Sequence, residues 1–151
     1  MSYWQIIAIA IFGLIAFVTF IQSLIKCRTH EGRMGKPYRI CELYGSFVWA
    51  DHIVFGVFWS MIAFISLLLQ DGIFFLLTLS LFWLVRSIGE TIYWILQQFL
   101  PRKGNEPDKF WINKIVPGEG VWFIHQIIWQ CISVVTLLTS IYLTSLWLSH
   151  F

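Results

Sequence analysis

Four apolar runs alternate with short polar stretches along the chain. They extend from about Tyr3 to Ile25, from near Ser46 to Leu69, from Ile73 to about Phe99, and from about Val121 to Leu148. Each reaches the roughly 20 residues that a helix rising ~1.5 Å per residue needs to cross a hydrocarbon core. In the first run Ala10, Gly13 and Ala16 recur every third residue, and in the second Gly56, Ser60 and Ala63 share a side. Such small-residue strips let helix backbones approach closely in lipid. Gln70-Asp71-Gly72 reads as a tight turn, so the second and third runs form an antiparallel hairpin. The third run is longer than a span needs and should tilt or extend into the interface. Ser133, Thr136, Ser140 and Thr144 line one face of the fourth, where hydroxyls bond their own helix or a packed neighbour. The pattern predicts an all-α fold: an integral membrane four-helix bundle with two antiparallel hairpins, occupying 1–151 as a single transmembrane domain.

The connections set the orientation. Lys26 to Tyr44 is polar, contains Gly32, Gly35 and Pro37, and reads as a loop. Pro101 stops the third run, and Arg102 to Glu119 forms a second basic loop. Within it, Asp108 to Val116 sets Phe110, Trp111, Ile112 and Ile115 beside Lys109 and Lys114, as in a short helix on the membrane surface or an ordered interfacial loop. Lys26, Arg28, Arg33, Lys36 and Arg39 lie in the first loop, and Arg102, Lys103, Lys109 and Lys114 in the other. Nine of the ten basic side chains thus flank one side, which the positive-inside rule places in the cytoplasm. Loops 26–45 and 101–119 are expected inside and both termini outside. The N-terminal run has no positive region before it and no evident small-residue cleavage site, so it reads as a retained span.

Composition agrees. Hydrophobic residues make up 58% of the chain and charged residues 12%, far from the quarter or so charged in soluble domains. Nine tryptophans suit anchoring at the headgroup level. A net charge of +2 suggests no nucleic-acid surface. Cys27, Cys41 and Cys131 form no CxxC pair, which argues against thiol-disulfide exchange. Cys27, Cys41 and His30 make at most a partial zinc site lacking a fourth ligand, and free thiols are the simpler reading.

Candidate chemistry lies in a few polar residues inside the runs. Arg86 and Glu90 stand four apart, close enough to pair on one helix face. Tyr93 and Gln97 extend that stripe. Asp51 and His52 lie about 8 Å in from the basic end of the second run by helix rise. His125, Gln126 and Gln130 come early in the fourth, and Gln22 late in the first. All four runs therefore carry polar groups towards the same leaflet, and charges at membrane depth are costly enough to imply a use.

Three uses fit. Asp51, His52, Arg86, Glu90, His125, Gln126 and Gln130 would bind or conduct a small polar species or protons, in an oligomer because one four-helix bundle leaves little room for a pore. Alternatively, the same groups, with Tyr93, Gln97 and Gln22 as a structural stripe, fix helix register in a non-enzymatic accessory subunit of a membrane complex. As a third option, His52 and His125 would ligate a haem or metal, although no HxxxH or ExxH spacing supports it and the sequence requires no cofactor. The implied partners are the lipid bilayer and further copies or another membrane protein.

Overall fold

A computed structural model describes residues 1–29, 32–33, 35–100 and 111–149. His30, Pro101, Arg102, Lys103, Asp108, Lys109 and Phe110 lie outside them. Every regular element of the described chain is a helix, and four are long and apolar enough to cross a membrane: α1 (Tyr3–Lys26), α2 (Trp49–Leu69), α3 (Gly72–Phe99) and α4 (Gly120–Leu148). The first compact unit runs from Met1 to Thr78 and the second from Leu79 to Phe151, so the boundary falls within α3.

In the first unit α1 and α2 are antiparallel. The amino terminus of Met1 donates to the Gln70 carbonyl at one end (3.4 Å), and Thr19 meets His52 towards the other. Gly13, Ala16, Gly56 and Ala63 lie where the two helices touch, whereas Ala10, the first of the α1 strip, is exposed. A Cβ on Gly13 would stand 2.6 Å from Cβ of Ala63, and one on Gly56 would stand 2.8 Å from Cβ of Phe20 and 3.2 Å from the Ala16 carbonyl oxygen. Ala16 and Ala63 are buried with them. Beside this seam Phe12 meets Trp59 and Phe75 edge-on, and those two rings are tilted against each other. The turn after α2 is as tight as expected. Gln70 caps the helix in the left-handed region (φ 51°), and Asp71 Oδ1 accepts the backbone N–H groups of Ile73 and Phe74, opening α3.

The connection between α1 and α2 is more than a loop. Residues Arg39–Tyr44 wind into a 3-10 turn that buries Cys41 and Tyr44 against both helices. Gly45 follows at φ 73°, a left-handed conformation that glycine adopts without steric cost. This lets Ser46 N–H return to the Cys41 carbonyl at 3.0 Å. The Tyr44 carbonyl accepts the Trp59 indole N–H (3.1 Å), and its hydroxyl donates to the Phe12 carbonyl (3.3 Å). Trp59 lies ten residues, ~15 Å, beyond the start of α2.

In the second unit α3 and α4 are joined by a ladder of serines. Ser80 bonds Ser140 at 2.9 Å and donates to the Thr136 carbonyl at 3.0 Å, while Ser133 donates to Ser87 at 2.9 Å. The rungs are seven residues apart on both helices, the spacing of a left-handed antiparallel pair. The α4 hydroxyls thus behave as their pattern indicates: Ser133 and Ser140 meet serines of α3, and Thr136 and Thr144 bond back to their own helix at Ile132 and Ser140. A Ser87→Ala, Ser133→Ala double-mutant cycle should give a coupling of roughly 0.6 kcal/mol, as is usual for such bonds in lipid. Equilibrium unfolding in detergent measures it. Trp111–Lys114 forms a second short 3-10 turn. Its Ile112 does not lie outward on an interface; it is buried with Trp94, Val121 and Trp122, where an apolar side chain gains more than at a headgroup.

Candidate functional site

His52 lies one turn into α2 and is fully buried. Its ring contacts α1 through Thr19 Oγ1, 2.5 Å from Nε2, and the residues before α2 through Ser46 Oγ, 2.9 Å from Nδ1. The Tyr44 ring packs edge-on against it, 5.4 Å between centroids. Thr19 Oγ1 also reaches the Ile15 carbonyl at 2.7 Å; in the tautomer in which its one proton goes there, Nε2–H donates to Thr19 and Nδ1 accepts from Ser46. The chain reads Ser46 to His52 to Thr19 to a backbone carbonyl. Each member is at most 5% exposed and each is bonded. Offering a lone pair to an iron or zinc would require His52 to release Ser46 or Thr19. Among the described residues no three His, Cys, Asp or Glu side chains converge as a metal site would require.

Cys41 and Tyr44 border this chain. Burial raises the Cys41 thiol above its ordinary value, partly offset by a hydrogen bond with Thr19. Burial, with Cys41 beside it, pushes the Tyr44 phenol up to about 12. The fold thus favours protonated Tyr44. That contribution to stability is fully present below the ordinary value near 10 and is lost as pH rises through about 12. Spectrophotometric titration, with Tyr44→Phe subtracted, should show this phenol ionising well after an exposed tyrosine.

Asp51 serves α2 directly. Its Oδ2 accepts the backbone N–H groups of Phe47 (3.1 Å) and Val48 (3.4 Å), satisfying donors that the helix start would otherwise strand. Gln22 lies late in α1 with its Oε1 buried and without a hydrogen-bond donor among the described residues.

The other polar residues belong to the second unit. Arg86 Nη2 and Glu90 Oε1 form the expected pair at 2.9 Å, with side chains 25% and 15% exposed. Of the stripe they begin, Gln97 is buried and Tyr93 exposed, so it does not face one environment throughout. His125 directs Nδ1 to its own Val121 carbonyl (2.8 Å) and stacks on Trp94, 4.5 Å between centroids. Gln126 Oε1 accepts from Gln98 Nε2 at 2.7 Å. Gln130 lines a shallow groove with Ile88, Thr91, Ile92, Ser133 and Val134. Asp51, His52 and Gln22 thus belong to the first unit, and Arg86, Glu90, His125, Gln126 and Gln130 to the second.

Thr19, Ser46 and Tyr44 complete the histidine site without having been candidates, together with Cys41, a candidate only as part of a partial zinc site. Thr19 stands one turn before Ser23 on the small-residue side of α1, which was a usable signal. The other three fall in or next to a stretch whose polarity marks it as a loop. Comparisons with protein-family models, with curated proteins and with solved structures return no match, and the site is read from its own residues.

Proposed function

We propose that this chain is a non-enzymatic subunit of a membrane assembly, with its basic connections in the cytoplasm and both termini outside. Its buried polar groups hold helices and the 39–44 turn in one register for a partner membrane protein or further copies. The observation that carries this reading is the saturation of His52. Both ring nitrogens are engaged, the chain ends on a helix carbonyl, and none of its members is open to solvent. A conducting histidine needs a partner that passes the proton on; this chain ends on the Ile15 backbone carbonyl. Buried polar groups of this kind specify an arrangement more than they stabilise it.

A second reading is favoured by the Arg86–Glu90 pair, whose partial exposure leaves it open to a small polar species or protons in an oligomer. Reconstitution separates the two. Parent protein in liposomes should show no proton or small-ion flux above empty vesicles, and His52→Ala should melt well below the parent in detergent. Flux in the parent that Glu90→Gln abolishes at unchanged stability would replace the subunit reading with transport.

A further inference from the structure

We infer that the connection between α1 and α2 is a docking surface for anionic phospholipid headgroups. Lys26, Arg28, Arg33, Lys36 and Arg39 are all exposed there, against Glu42 as the one exposed acid among the described residues of that stretch. The 3-10 turn that carries Arg39 has two faces. Cys41 and Tyr44 point inward and are fully buried, while Ile40 and Leu43 point outward at 39% and 61% exposure, next to Tyr38 at 54%. Cations beside exposed aliphatic and aromatic side chains, at the end of a spanning helix, match the boundary between headgroups and acyl chains. Phosphate meets the cations, and the apolar side chains meet the upper acyl carbons.

The buried half of the turn makes this surface more than a mobile basic tail. Trp59 holds the Tyr44 carbonyl, Trp49 N–H holds the Gly35 carbonyl at 3.1 Å, and Tyr38 packs edge-on against Trp49. The cations at positions 36 and 39 are therefore presented from ordered backbone, which lowers the ordering cost of each headgroup contact. The occupant is specified by charge. A zwitterionic headgroup offers the cations no net attraction, whereas phosphatidylglycerol offers a full negative charge.

The test is native mass spectrometry of the detergent-solubilised full chain titrated with dioleoylphosphatidylglycerol or dioleoylphosphatidylcholine at two ionic strengths. The parent should retain phosphatidylglycerol preferentially and lose that preference as salt rises. Lys36→Gln and Arg39→Gln should each weaken phosphatidylglycerol retention about fivefold, the factor for one surface cation, and leave phosphatidylcholine unaffected. Lys114→Gln, an exposed cation elsewhere, should change neither. Resistance of Cys41 to alkylation in each variant reports that the turn is still seated. Equal retention of the two lipids by the parent would overturn the inference. So would a preference that survives both neutralisations with the turn intact.

Discussion

Replacing Gly56 with leucine should leave the α1–α2 pair unable to form. Even the first carbon of the new side chain would press on Phe20 Cβ at 2.8 Å, His52 Cδ2 at 3.1 Å and the Ala16 carbonyl at 3.2 Å. Two of those contacts belong to α1, so relief requires moving its backbone away. The helices would then lose Gly13 against Ala63 and the Thr19–His52 bond together. Overpacking usually costs about 1–3 kcal/mol, and here the whole close approach is forfeited, so a loss above ~3 kcal/mol is expected. Thermal unfolding in detergent should find little cooperative transition. Gly89 gives the contrast: a Cβ there meets nothing within 4 Å. Gly89→Ala should be neutral or stabilise α3 by up to ~1 kcal/mol.

The second large effect is expected at His52. His52→Ala removes both hydroxyl partners, leaves the Ser46 hydroxyl buried without its acceptor, and opens a cavity beside Tyr44. Together these should cost about 2–4 kcal/mol. Thr19→Val is the sharper probe because it keeps the shape while removing the hydroxyl that meets both His52 and Cys41. Losing that buried partner should cost about 1–3 kcal/mol. Combined with His52→Ala, the valine should cost much less than it does alone, since the ring it deprives of a partner is already gone. Additive losses would mean that the two side chains do not act through each other. His125→Ala should cost less than His52→Ala, because His125 is only half-buried and bonds its own helix.

Periodic apolarity made the four crossings legible, and backbone hydrogen bonding leaves a lipid-embedded chain few alternatives to helix. Close approach was legible too, since glycine and alanine at Gly13, Ala16, Gly56 and Ala63 leave no bulk to hold two helices apart. Arg86 and Glu90 were readable as a pair because their spacing alone brings them together. The role of Asp51 was written in the sequence in a different form: a carboxylate three residues after Val48 suits a helix start as well as a buried ion pair. Ser80 and Ser87 were not distinguishable from other small residues in an apolar run, because a serine ladder is a property of two helices in register and each helix shows only half of it. The inward turn was hidden for a related reason. Charges at 36, 39 and 42 describe one face of residues 35–46, whereas Cys41 and Tyr44, which occupy the other, are too few to register as periodicity.

The seating of that turn is the proposition on which the role of the buried polar groups depends, and thiol labelling measures it directly. In a Cys27→Ser, Cys131→Ser background, a membrane-permeant maleimide applied to the folded protein in its bilayer should leave Cys41 unmodified, because Cys41 is fully enclosed and burial keeps its thiol protonated. His52→Ala should then raise its labelling rate as the turn lifts away. Cys41 modified in the parent as quickly as Cys27 is in the complementary background would contradict the enclosed site and the locking role assigned to it.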